Sequence, residues 1–279
     1  METPHIRNLV PLIASATLAH SPDARAADLL RASGTGSALG AMRRLAEAFA
    51  EAGPGDRLEV LSSLGTNGAI QAVAHGALDL GFLGRDLTPR EKALGLVALP
   101  YARTPFVFVA GPRSGVSGIT AADAVRIYRG EVATWPGGER VRVVLRPKAD
   151  SDNELLRAIS PEMAAAVEAS FNREGMLMAA TNQDCDDLAA QTPGALAPST
   201  LTQILAEGEK LEPLAWNGVL PTLANLASGA YPLEKRLLVV VRASPTPPVR
   251  RFLAFLGSAR ARKILEDAGN LPLALPALE

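Results

Sequence analysis

Short apolar stretches alternate with segments of helical period between residues 27 and 94, and that alternation limits what this chain can build. Ala27 to Ala32 reads as a strand. Leu39 to Ala52 follows as a helix, with Met42, Leu45, Ala46 and Phe49 on one face. Arg57 to Leu61 is the next strand and Asn67 to Leu78 the next helix. Leu80 to Leu83 is a third strand, followed by a helix from Pro89 to Leu94. A βαβαβ series implies a parallel sheet with helices on its faces, because parallel neighbours need a long crossover between them.

The pattern continues less regularly. Phe106 to Ala110 (FVFVA) is a continuous apolar strand ended by Gly111-Pro112. Thr120 to Tyr128 reads as a helix, with Thr120 and Asp123 in the positions of a capping box. Val141 to Leu145 is a strand, and helices are expected from Ser151 onward, from Pro161 to Phe171 and from Asp184 to Gln191. Leu237 to Val241 (LLVVV) is a buried strand, and Pro248 to Ala268 holds two helices. No fixed-period repeat and no low-complexity linker appears, so two α/β lobes with short crossings fit better than two domains in series.

Composition removes several function classes. Lys and Arg number 28 against 29 Asp and Glu, so there is no basic excess to neutralise a nucleic-acid backbone. No apolar run approaches the roughly 20 residues a membrane span needs. Cys185 is the only cysteine, so no intrachain disulfide forms. Residues 1–26 have the form of a cleavable secretory leader: Arg7, an apolar core LVPLIASATLA, then Ala24-Arg25-Ala26. Cleavage is expected after Ala26, and no cysteine follows it to carry a lipid anchor.

Two strand-to-helix turns are rich in glycine and hydroxyl groups: Ser33-Gly34-Thr35-Gly36-Ser37, and Ser62 through Gly68 (SSLGTNG). In a parallel sheet both lie at the carboxyl ends of adjacent strands, where backbone N–H groups and helix N-termini suit an anion. Neither is a P-loop, since GxxxxGK[ST] is absent. Gly84-Arg85-Asp86-Leu87 follows the third strand, and Arg85 is a candidate for bidentate contact with an oxyanion. Arg146 through Asn153 (RPKADSDN) joins a strand to a helix and carries two cations and two carboxylates. Catalysis has little support: there is no GxSxG or HExxH, and His75 is the only histidine beyond the leader. Asp184, Asp186 and Asp187 are explained by a helix N-terminus, and Cys185 among acidic groups is expected to be inert.

Taken together, several segments resemble the phosphate-binding protein family of ABC transporters, which has the type II periplasmic binding fold. Gly34-Thr35-Gly36-Ser37 with the helix ending LAEAFAE resembles the family's first phosphate loop. GTNGAIQAVAHGALDLGFLGRDLTPRE resembles its second loop, helix and following strand. SGITAADAVRIYRGEVATWPGG, TPGALAPSTL and Gly229-Ala230-Tyr231-Pro232-Leu233 resemble three later family elements in the same order.

The resemblance implies two lobes, each a mainly parallel sheet flanked by helices, joined by two hinge crossings near PFVFVAG and LLVVVR. Lobe I would be residues 27–103 plus 236–279, and lobe II residues 104–235. It implies ligand contacts at Thr35, Gly36 and Ser37, a second loop lined by Gly65 and Thr66, and further contacts at Gly84, Arg85, Arg146, Asp150 and Ser151. Arg146 matches the arginine of the family's R-x-x-G-S-G-T loop, but Ala149, Asp150, Ser151 and Asp152 replace its G-S-G-T, and Gly84 stands where the family has a serine or aspartate. Two carboxylates facing a dianion repel it by several kcal/mol unless paired or solvated. Three resolutions are open. The aspartates point away as caps, they pair with Lys148 or Arg85, or the ligand is cationic, zwitterionic or metal-bridged.

The expected function is an exported, monomeric solute-binding protein that closes on a small oxyanion, most simply phosphate, and presents it to an ABC permease. No cofactor, metal or catalytic residue is expected. The alternative is a sensing or assembly protein with a changed ligand or none. An exported hydrolase is a third possibility: it would need a nucleophile and a base in the cleft, and His75 is the one histidine base available.

Overall fold

The computed structural model describes residues 28–53, 55–208 and 210–276. The expected leader, residues 1–26, lies outside them. The chain begins with β1 (Leu29–Gly34), α1 (Gly36–Ala52), β2 (Arg57–Val60), α2 (Gly65–Ala74) and β3 (Leu80–Leu83). β1 pairs in parallel with both β2 and β3, so the βαβαβ pattern gives the strand order β2-β1-β3. Met42, Leu45 and Phe49 of α1 are buried on the face its spacing predicts, Ala46 is partly buried against the same core, and Leu39 joins them there.

A short helix, α3 (Pro89–Lys92), leads into β4 (Leu96–Ala110). Beyond it come β5 (Gly118–Ile119), α4 (Ala121–Arg129), β6 (Arg142–Leu145), α5 (Ser151–Ala158) and α6 (Pro161–Ser170). β7 (Leu177–Met178), α7 (Asn182–Gln191), β8 (Ala195–Thr200), α8 (Leu201–Glu207), β9 (Ala215–Trp216) and α9 (Leu223–Ser228) follow. β10 (Glu234–Arg242), α10 (Pro247–Leu256), α11 (Ala259–Asp267) and β11 (Leu271–Pro272) complete the described chain.

β4 is longer than its sequence suggests. A strand was expected from Phe106, but the observed one starts at Leu96 and runs through Pro100 and Pro105. Proline removes a ladder donor, so it fits only where pairing is broken or ending. Pro100 lies opposite Leu238, where the β10 register shifts, and Pro105 lies opposite Glu234, the first residue of β10. β4 pairs antiparallel with β10 along residues 96–105 and with β8 along residues 106–110. The main path is β2-β1-β3-β10-β4-β8-β6-β7, with β11 paired to β4.

Its parallel portions sit at the two ends, and antiparallel β10 and β4 join them. One core gathers buried residues from Phe106 to Tyr231. A second gathers residues from Leu30 to Ala102 with Leu237 to Leu265. The chain therefore passes between cores in β4 and again at β10. Along β10 the side chains alternate: Leu237, Val239 and Val241 join the core under α1, while Leu238 and Val240 join a smaller cluster under α2.

Candidate functional site

The carboxyl ends of β1 and β2 bring the two hydroxyl-rich turns side by side, and two of their hydroxyls tie one turn to the other. Ser33 Oγ donates to Ser62 O at 2.6 Å, and Ser63 Oγ donates to Gly34 O at 2.9 Å. Thr66 Oγ1 accepts the Gly84 N–H at 3.0 Å. Thr35 and Ser37 are left to face the interior. Thr35 is the N-cap of α1 but makes no side-chain capping bond. Instead, Thr35 Oγ1 and Ser37 Oγ accept from Lys235 Nζ at 3.3 and 3.0 Å.

Lys235 reaches this point from the start of β10 and is fully buried. Its stem needs Gly84: a Cβ there would lie 2.5 Å from Lys235 Cε and 2.9 Å from Ser151 Oγ. Gly36 has a similar role against the other side. A Cβ on it would meet Gln183 Oε1 at 2.5 Å and Asn182 Cβ at 2.8 Å, so α1 and α7 abut through this glycine.

β6 delivers Arg146, whose side chain is 2% exposed. Arg146 Nη1 donates to Ala179 O at 2.7 Å and Nη2 to Asp150 Oδ2 at 2.9 Å. Asp150 caps α5 by accepting the Asp152 N–H at 2.9 Å. Asp152, in the first turn of α5, has no exposed side-chain surface. It accepts from Lys235 Nζ through Oδ1 and from Asn182 Nδ2 through Oδ2 at 2.7 Å. Arg146 Nε is 4.0 Å from Asp152 Oδ2 and makes no hydrogen bond. Two cations and two carboxylates thus form a buried cluster of zero net charge.

Burial alone pushes the Asp152 carboxyl up, but Lys235 and Arg146, with the bonds from Lys235 and Asn182, hold it below the usual range. Asp150 goes the other way: burial and the neighbouring Asp152 charge raise it, although Arg146 opposes them. The ionised form of Asp152 is the one this site is built around.

Of the residues expected at the site, Thr35, Ser37, Arg146 and Asp150 come together. Gly36, Gly84 and Ser151 lie against them as packing surfaces. Gly65 and Thr66 line an adjoining cavity of about 440 Å³ with Asp150, Ser151 and Thr181.

Arg85 does not join the cluster. It donates twice to Glu91, at 2.9 and 2.8 Å, and to Asn67 Oδ1 at 2.6 Å. It lines a larger cavity of about 690 Å³ at the cleft mouth with Glu154, Glu234 and Arg236. Of the three open resolutions, pairing of the aspartates with Lys148 or Arg85 does not occur, while Asp150 does act as a cap. Lys148 pairs with Glu168 at 2.8 Å, and the aspartates pair with Arg146 and Lys235.

The Arg85–Glu91 pair serves stability. Hydrogen bonds from Arg85, with further help from Thr88, hold the Glu91 carboxyl at about 2 against an ordinary 4.5. The stabilisation is therefore present above about pH 4.5 and disappears as pH falls toward 2. Glu91→Gln is expected to cost about 2 kcal/mol at neutral pH, allowing for partial solvent screening. Urea unfolding should show that gap closing across the same acid range.

His75 is exposed at the carboxyl end of α2, with Nδ1 2.8 Å from Gln71 O. The ten residues of α2 put it about 15 Å along the axis from the end that lines the cleft. That leaves the hydrolase alternative without a histidine base at the site. Burial raises the Cys185 thiol, and its sulfur faces Pro198 O, so its expected inertness has a physical cause. Asp184 completes the capping box of α7, whose N-cap is Thr181, and Asp186 accepts from Ser199 Oγ at 2.9 Å. Among the described residues, no three His, Cys, Asp or Glu side chains gather to hold a metal.

Lys235 and Asn182 are missing from the sequence-based site. The available signal was period two: Lys235 has the parity of Leu237, Val239 and Val241, which points it inward.

A family model described as the PBP superfamily domain matches residues 19–260. The phosphate-binding protein PstS of Bacillus subtilis (strain 168) is 27% identical, over 89% of this chain and 82% of its own length. PstS of Borreliella burgdorferi is 24% identical, over 75% of this chain and 76% of its own. Among solved structures, a putative phosphate ABC transporter substrate-binding protein from Clostridium perfringens, with bound phosphate, superposes at a TM-score of 0.76. That match has 18% identity and covers 88% of this chain and all of the other.

Proposed function

The chain belongs to the PBP superfamily, and from that membership we propose that it is an extracytoplasmic solute-binding protein that captures a small oxyanion, phosphate first, between two lobes. Residues 27–103 with 236–279 form one lobe and residues 104–235 the other, with β4 and β10 as hinge crossings. Closure is driven by contacts the ligand makes with both lobes at once. The closed, monomeric protein then presents its ligand to an ABC permease. It works in the periplasm, exported by residues 1–26 as a leader; no described helix is long and apolar enough to cross a membrane.

One observation carries this reading: Thr35, Ser37, Lys235 and Arg146 bring two hydroxyls and two cations to one buried spot, and the Arg146 Nε–H there is unpartnered. Such a group of donors suits a multiply charged oxyanion. The names of the relatives support the choice of phosphate. The activity is binding, so no residue is assigned a catalytic role and no cofactor is required.

A specific observation favours a second reading. The aspartates already neutralise both cations, which fits a sensing or assembly protein with a changed ligand or none. Thermal unfolding with phosphate, sulfate, molybdate and phosphonates, against chloride at matched ionic strength, separates the two. At 100 times its dissociation constant, phosphate adds about 2.7 kcal/mol, or roughly 5–10 °C for a chain of this size. A phosphate-dependent rise supports transport binding. A flat response to every oxyanion sinks it in favour of the second reading.

A further inference from the structure

We infer that Asp152 is the resident counter-anion of the cleft: its carboxylate takes the place among Lys235, Asn182 and Arg146 that an incoming oxyanion needs, so an oxyanion binds by displacing it. This rests on the oxyanion-binding function proposed above and concerns the same site. Three observations lead to it.

The first is position. Lys235 Nζ is shared between Thr35 and Ser37 on one side and Asp152 on the other. Asn182 Nδ2 completes the grip on the second carboxylate oxygen at 2.7 Å. The donors that would hold an anion therefore hold Asp152.

The second is charge. Arg146 and Lys235 carry two positive charges, and Asp150 and Asp152 carry two negative ones within direct contact. Two negative charges are also what a phosphate dianion brings. With both carboxylates in place, a dianion would leave the buried cluster strongly negative.

The third is an imperfection in the fit. Arg146 Nε is buried and unpartnered, with Asp152 Oδ2 at 4.0 Å. A planar carboxylate tethered to α5 has two oxygens, and here they are engaged by Lys235 and Asn182. A free tetrahedral oxyanion has four, enough to satisfy the remaining guanidinium N–H as well.

The same contacts link the two sides of the cleft without a ligand. Asp152 stands on α5, Thr35 and Ser37 at the start of α1, and Lys235 at the crossing strand β10. Asn67 Nδ2 adds a nearby bond to Ala149 O at 3.2 Å. The closed arrangement is thus held by an internal anion, and opening must break its contacts.

The test compares native protein with Asp152→Asn and Asp152→Thr, using inorganic phosphate as the probe. Titration calorimetry reads affinity, thermal unfolding reads stability, and small-angle scattering reads closure. Circular dichroism with and without phosphate establishes that each variant is folded. The variants are expected to bind phosphate at least ten times more tightly than native protein. Without phosphate they should melt earlier and scatter as a more open particle, and phosphate should reverse both changes. The double variant Asp152→Asn/Lys235→Met should fold but lose the gain in affinity.

Equal, tight binding by native and variant proteins would overturn the inference and leave oxyanion binding standing. Binding by the variants alone would support the inference and remove oxyanion capture as the native function. Folded native and variant proteins that all ignore phosphate would overturn both.

Discussion

Lys235→Met is expected to destabilise the folded protein by about 3–5 kcal/mol at neutral pH, the usual cost of leaving a buried charge without its partner. Methionine fills most of the lysine's volume, so the loss is chiefly electrostatic. Asp152 would keep the Asn182 bond and a guanidinium 4.0 Å away, but no cation in contact. Thr35 and Ser37 would also lose their shared donor. Adding Asp152→Asn should recover most of the loss, because the uncompensated carboxylate is then gone.

The sign of the pH dependence follows from Asp152. Its carboxyl is held below the usual range in the folded protein, so the pair's stabilisation is present above the unfolded carboxyl's range and is lost as pH falls through the folded value. The Lys235→Met deficit should therefore be largest near neutral pH and shrink in acid. Urea unfolding of native, single and double variants measures all three effects. A single variant within about 1 kcal/mol of native would mean the pair is solvated and not structural.

Arg146→Ala should be comparably damaging and should also abolish the phosphate response. The guanidinium holds Ala179 O and Asp150 at once, which ties the end of β6 to β7 and to the cap of α5. Its loss leaves Asp150 and Asp152 facing one remaining cation, at a cost again of about 3–5 kcal/mol. Arg146→Lys separates charge from geometry. It keeps the positive charge but lacks the planar fork, so it should recover part of the stability and little of the phosphate-dependent shift. Full recovery of that shift by lysine would show that charge alone suffices.

Much of this architecture was legible because periodicity is local. The βαβαβ series and the α1 face of Met42, Leu45 and Phe49 depend only on spacing along one segment. The Thr120–Asp123 capping box was legible for the same reason. β4 was read short because Pro100 and Pro105 count against a strand until the register shift and the end of β10 opposite them are known.

Within the site, Thr35, Ser37 and Arg146 were found from turn chemistry and family pattern. Lys235 was not, since a charged residue at a strand start normally signals solvent, and the space that buries it is opened by Gly84, far away in sequence. Arg85 was assigned to the ligand because its partner is hidden by position. Glu91 completes the capping box of Thr88 and pairs with Arg85 at the same time. Asp152 was recognised as a departure, but its partners come from β10 and α7, which only the folded chain brings together.

Titration calorimetry of inorganic phosphate into the full chain, beside Asp152→Asn and Arg146→Ala, tests the central claim most directly. The predicted result is one saturable site, weak in the native protein, at least ten times tighter in Asp152→Asn and absent in Arg146→Ala. No binding heat from native protein or from folded Asp152→Asn would contradict the claim that this cleft is an oxyanion site.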